Sequence, residues 1–391
     1  MTIDRKFFDE IHDRRIPGDI KYTPVEGVKD LIPMWIADMD FRCPPAIGEA
    51  MREASKREIF GYMAPDDEYY EAVIGWYEKR FGWKISKEEI VPMPGVVFGI
   101  SCTINALTEP GDKVLILEPV YYPFREAIEW NGRVTEVSEL VLKDGHYEID
   151  FEDFEQKISS PEVKLFVLCS PHNPVSRVWT REELTRIAEI CLKHGVTVIS
   201  DEIHSDLVYS WSKHTPTALI NEKLTDNMVV CTAPTKTFNM AGIQASNIIV
   251  KNEALRKKVK QALEATGYYV PNNMAIAAVK GAYREGEEWL DELLKYLESN
   301  IELVRTRLQE TDGKIKLIEP EGTYLLWLDC RELGMEDKEL DDFFLYKTGI
   351  RFDAGTMFGK AGSGFTRMNI ACPEATLREA LDRIVNAVKE L

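Results

Sequence analysis

With 391 residues, 45% of them hydrophobic, the chain is long enough for a large core and a second, smaller one, so two packed domains are the expectation. The 48 Lys and Arg against 66 Asp and Glu leave a formal net charge of -18, a field that repels nucleic acid and anionic membrane surfaces. Seven scattered cysteines without a CxxC pair argue against a disulfide framework or a zinc site, and no leader or membrane-spanning apolar run is visible, which together read as a soluble, cytoplasmic protein.

Residues 1–48 carry several prolines and aromatics but little periodicity, and read as an arm that packs with the smaller domain. Residues 49–285 read as the large domain. There, short apolar runs at 113–117, 163–168, 196–199, 228–231 and 247–250 alternate with amphipathic helical stretches such as Arg181 to Lys193, the pattern of buried parallel strands joined by crossover helices. In such α/β sheets ligands gather at the carboxyl ends of the strands. Residues 286–391 change character: a charged helix over 287–309, a strand over 323–329, a short helix over 337–344, a strand over 365–370 and a terminal helix over 374–391 make a small α+β domain.

Chemistry-bearing residues follow these runs in order. Gly95-Val96-Val97 opens a helical run to Leu107, and free N–H groups at a helix start receive a phosphate. Tyr121 follows the run 113–117 and offers a stacking ring. Asn173, in Ser170-Pro171-His172-Asn173-Pro174, offers a side-chain donor, and Asp201, ending the run at Ser200, offers an anion. Lys236, in Thr235-Lys236-Thr237, follows the run ending at Cys231; a lysine desolvated there loses its proton and becomes nucleophilic. Arg367, on a C-terminal strand, can grip a carboxylate with two parallel hydrogen bonds. Each alone is also compatible with an ordinary role: a solvated loop lysine, a turn, a cap, a core tyrosine or a surface ion pair. As a set they match what pyridoxal 5'-phosphate requires: an amine for its aldehyde, an acid facing its ring nitrogen, a donor at its phenolate oxygen, a phosphate cradle and a stacking surface.

This order resembles the fold type I, aspartate-aminotransferase-like enzymes over essentially the whole chain. Trp35-Ile36-Ala37-Asp38-Met39-Asp40-Phe41, Ser200-Asp201-Glu202-Ile203-His204-Ser205-Asp206-Leu207 and Asn369-Ile370-Ala371-Cys372-Pro373 are similar to the MalY/PatB-type cystathionine β-lyases. The resemblance implies a large domain built on a mostly parallel seven-stranded sheet, a pyridoxal 5'-phosphate cofactor, and a homodimer in which Tyr62 reaches the partner's phosphate. It also places His204 near the phenolate oxygen and Ala37 against the substrate. The reaction implied is α,β-elimination on a small sulfur-containing L-amino acid. An aminotransferase, and a regulatory protein that keeps the cofactor only as structure, are the rival expectations, although no basic domain for DNA binding is present. Three departures stand out: Ser176 and Ser170 where the family pattern has glycine and asparagine, and Gln244 where ordinary aminotransferases carry a phosphate-binding arginine. A serine forced to positive φ would strain its turn.

Overall fold

Three sheets organise the chain in the computed structural model, which describes residues 3–391. The strands in chain order are β1 (Ile32–Pro33), β2 (Ile90–Met93), β3 (Lys113–Glu118), β4 (Val134–Lys143), β5 (His146–Ile149), β6 (Val163–Cys169), β7 (Thr197–Asp201), β8 (Met228–Thr232), β9 (Ser246–Ile249), β10 (Lys316–Leu317), β11 (Leu325–Asp329), β12 (Ile350–Arg351), β13 (Asp353–Ala354) and β14 (Phe365–Asn369). The central sheet runs β2-β9-β8-β7-β6-β3-β4-β5. Its middle, β8-β7-β6-β3-β4, is parallel, as the alternating apolar runs and helices require.

Two strand assignments are corrected. The run at 247–250 does not form a parallel strand: β9 is antiparallel to both β8 and β2. The connection from β8 turns through two short helices at the same end of the sheet and never crosses back, so a parallel return is impossible. The sheet also carries eight strands where seven were expected. The extra one, β5, is the second arm of a hairpin with β4, closed by Asp144 and Gly145 at φ 50 and 80, the left-handed pair that matches strand twist.

Alternate residues of the central strands feed two cores. Leu115, Phe166, Val198 and Val230 join one; Val114, Ile116, Val167, Ile199 and Val229 join the other. Both faces are therefore covered, and the strand ends remain as the place where polar groups can gather. The helix Arg181–His194 begins at a Thr180/Glu183 capping box and stops at Gly195, φ 68, local signals that the sequence displays openly. Helices Pro45–Ser55 and Asn273–Glu285 approach so closely that a Cβ on Gly281 would lie 2.8 Å from the Ala46 carbonyl oxygen.

The C-terminal part holds the antiparallel sheet β10-β11-β14-β13 behind the long helix Glu287–Leu308. The helix begun at Asp337–Asp342 continues in wider turns over Phe343–Thr348 and closes at Gly349. The arm reaches this part: β1 pairs in parallel with β12, and the helix Arg5–Asp9 buries Phe8 against Trp289 and Tyr296. Among the described residues no helix is long and apolar enough to cross a membrane, and all seven cysteines are free.

Candidate active site

A cavity of about 530 Å³ opens at the carboxyl ends of the parallel strands, lined by Gly95, Tyr121, Asn173, Asp201, His204 and Lys236 among others. Six expected residues thus converge from segments far apart in sequence. Each sits where its strand stops, because the connection there must turn and expose polar atoms.

Lys236 stands in the single-turn helix Pro234–Thr237 after β8. The next residue, Thr237, donates through Oγ1 to the buried Asp206, 2.9 Å away, fixing the turn from behind. The Lys236 amine donates to the Ala37 carbonyl oxygen at 2.6 Å. Burial, and next the positive charge of Arg367, push its pKa down to about 8, against the pull of Asp38 and Asp201. A neutral, nucleophilic amine is therefore far more populated near neutrality than in a solvated lysine, at about a tenth of molecules at pH 7.

Asp201 ends β7, directly beside Cys169 of β6 and Cys231 of β8. Burial raises its carboxyl to about 7, countered by the Ile203 N–H at 3.0 Å and aggravated by Glu202. It is 4% exposed, and no cation among the described residues forms an ion pair with it. A buried carboxyl that faces a cavity without a positive partner fits a protonated ring nitrogen.

Asn173 turns its Oδ1 to Arg367, accepting from Nη1 at 3.0 Å, so its Nδ2 remains as a donor toward the cavity. His204 is buried, with Nδ1 unpartnered. Burial, then the charges of Lys236 and Arg367, depress its pKa to about 3, so the imidazole is neutral and donates from one nitrogen only. At the helix Val96–Leu107, Gly95 is the N-cap and supplies no side-chain acceptor, which leaves the first N–H groups at Val96 and Val97 free for an anion. Gln244 lines the same cavity at φ 56.

Two expected residues stand differently. Arg367 lies on β14, does not line the cavity wall and reaches it through Asn173. Tyr62 is 99% exposed and borders a separate depression that shares Pro94 and Gln244 with the cavity; within one chain it touches none of the site. Ala37 lines the cavity, and its carbonyl accepts from both Lys236 and the Tyr324 hydroxyl, the latter at 2.9 Å.

Sequence reasoning missed the groups that hold this loop and Arg367. Asn239 accepts from the Met39 N–H and donates to the Met39 and Phe41 carbonyls. Asn369 donates to the Ile36 and Asp38 carbonyls, at 2.6 Å each. Asp353 pairs with Arg367 in the interior. Asn239 follows Lys236 by three residues and Asn369 opens the motif Asn369 to Pro373, but nothing local announced their partners some 200 and 330 residues away.

The backbone confirms one departure: Ser176 adopts φ 59. Its hydroxyl donates to the Leu325 carbonyl, a bond glycine could not make. The buried Ser170 hydroxyl has no partner.

Comparison with known proteins agrees with this geometry. The family model described as aminotransferase class I and II matches residues 29–384. Cystathionine beta-lyase PatB of Bacillus subtilis (strain 168) is 47% identical, over 97% of this chain and 99% of that protein. Protein MalY of Escherichia coli (strain K12) is 32% identical over 93% of each. The crystal structure of cystalysin from Treponema denticola, which contains pyridoxal 5'-phosphate, superposes with a TM-score of 0.96 at 36% identity over the full length of both chains. With a cavity that fits the same cofactor and relatives matched from end to end, the chain belongs to the PatB/MalY-type, pyridoxal-phosphate-dependent carbon–sulfur lyases of the class I and II aminotransferase family.

Proposed function

We propose that the chain catalyses α,β-elimination on L-amino acids bearing sulfur at Cβ, with cystathionine as a substrate, giving a thiol, pyruvate and ammonia. Supporting this most strongly is the placing of a half-buried, easily deprotonated Lys236 and a buried Asp201 without an ion-pair partner around one cavity. Pyridoxal phosphate, when bound, supplies a conjugated electron-withdrawing ring that spreads the charge left at the substrate α-carbon after deprotonation.

The residues divide the remaining work. Gly95, Val96 and Val97 receive the phosphate on main-chain N–H groups, Tyr121 covers the ring face, and Asp201 keeps the ring nitrogen protonated. Asn173 and His204 donate to the phenolate oxygen. Arg367 holds the substrate carboxylate, which aligns the α-hydrogen with Lys236. Lys236 anchors the cofactor and then removes that hydrogen as general base. Once protonated, its ammonium donates to the Ala37 carbonyl and is the nearest acid for the departing thiolate.

Purified holoenzyme given cystathionine without any 2-oxo acid is expected to release pyruvate, and Lys236→Ala to release none while keeping the parent melting temperature. Turnover that appears only when a 2-oxo acid acceptor is added would replace this reading with transamination.

The same proposal includes a cytoplasmic homodimer with Tyr62 reaching the partner's phosphate. It divides the chain into an arm over residues 1–48, a cofactor-binding domain over 49–285 and a small domain over 286–391. Seven free thiols suit a reducing compartment. The exposed Phe60 and Tyr62, which border the depression beside the cofactor cavity, suit burial against a second copy.

A further inference from the structure

Arg367 and Asp353 face each other across the antiparallel pair β13 and β14, the geometry in which two side chains share a face and meet. Their side chains are 3% and 5% exposed and form an ion pair through Nη2. Among the described residues Arg367 is the only hydrogen-bond donor to the Asp353 carboxylate. The guanidinium is held on two further sides, by Asn173 Oδ1 at 3.0 Å from Nη1 and by the Trp35 carbonyl at 3.0 Å from Nη2. The Phe358 ring lies 4.8 Å beneath it. Three of its five hydrogens are thereby committed, leaving Nε, which has no partner, and one hydrogen on Nη1.

A buried ion pair is an inefficient way to stabilise a small sheet, since two apolar side chains in the same register would do as well without the desolvation cost. Its placement one contact from the cavity suggests a different use. We propose that Asp353 is a positioning residue for substrate binding: it fixes the plane of the Arg367 guanidinium and offsets its charge before the substrate carboxylate arrives. The inference rests on Arg367 being the carboxylate clamp and names what presets it. The offset matters because Arg367 is the charge that most depresses the Lys236 amine, which also faces Asp38 and Asp201, with the neutral His204 alongside. Without Asp353, an uncompensated cation would act on Lys236.

The test uses holoenzyme and three variants. Asp353→Ala is expected to raise KM for cystathionine about tenfold or more with kcat within about threefold, the pattern of lost binding that is equal in ground and transition states. Asp353→Asn, whose amide oxygen can still accept from Nη2, is expected to bring KM back to within about threefold of the parent. Both should lower the pH midpoint of the holoenzyme's visible absorbance by about half a unit or more, because the unshielded arginine disfavours a proton on the Lys236 nitrogen. A merely structural residue would leave that midpoint in place. An unmoved midpoint in Asp353→Asn, or a parental KM in Asp353→Ala, overturns the inference; if the alanine variant fails to fold, the midpoint of the asparagine variant decides. Arg367→Lys separates the two levels. If it leaves KM unchanged the clamp itself is wrong, whereas if it raises KM and Asp353→Ala does not, only the role of Asp353 falls.

Discussion

Lys236 concentrates the chemistry in one nitrogen, and its environment sets when that nitrogen can react. Only the neutral amine attacks an aldehyde, so in cofactor-free protein the rate of covalent capture of pyridoxal phosphate is expected to climb as pH rises toward the pKa of about 8 and to level off above it. An ordinary solvated lysine would keep accelerating past pH 10, its unperturbed value. Following the growth of visible absorbance after rapid mixing, across a pH series, reads the difference. Asp201 moves the other way: lifted to about 7 by burial while it lacks a cation, it needs a positive ring nitrogen beside it to stay ionised at neutral pH. The two groups thus reach compatible charge states only when the cofactor lies between them. Both were visible in the sequence because each directly follows a short apolar run, and a run that ends in a buried polar residue is a strong local signal. Asp353 was not visible, since a lone acid in Arg351-Phe352-Asp353-Ala354 gains its meaning only from the strand it pairs with.

At the scale of elements, the turn after β6 shows how a departure from a family pattern is accommodated. A non-glycine residue in the left-handed region costs roughly 1–2 kcal/mol, and Ser176 sits there at φ 59 while its hydroxyl bonds the Leu325 carbonyl of β11. A buried hydrogen bond of this kind contributes about 1 kcal/mol, so strain and bond nearly offset. Ser176→Gly should therefore stay within about 1 kcal/mol of the parent. Ser176→Ala keeps the strain, loses the bond and should be about 1–2 kcal/mol less stable, a melting temperature about 1–3 °C lower. Thermal denaturation of the two holoenzymes checks the order. The strand and helix pattern of the central sheet was legible because burial on both faces leaves continuous apolar runs and because capping residues mark helix ends. The direction of β9 and the hairpin strand β5 were not, since an apolar run of four residues reads the same in either orientation and β5 alternates too briefly to register.

For the whole molecule, the expectation that remains open to direct trial is the shared site. If Tyr62 serves the partner's phosphate, mixing equal amounts of Tyr62→Ala and Lys236→Ala subunits after dissociation should restore activity in hybrid dimers, where one site receives both native residues. Half of the dimers would be hybrids with one good site of two, so about a quarter of all sites recover. No recovery, with dimers shown to have exchanged, would mean that Tyr62 acts within its own subunit or not at all. A single chain does not reveal this from sequence or fold, since Tyr62 is almost fully solvent-facing and a role at a partner's phosphate would need a surface that one chain does not contain.

The loop around Ala37 joins an early segment of the chain to a late one. Its carbonyls are held by Asn369, near the C-terminus, and its Ala37 oxygen by Lys236 and Tyr324. During synthesis the segment around Ala37 emerges some 330 residues before Asn369, so the acceptor of the reactive amine cannot be fixed until that later strand has been made. A chain cut before residue 369 would carry Lys236 yet lack the strand that steadies its acceptor.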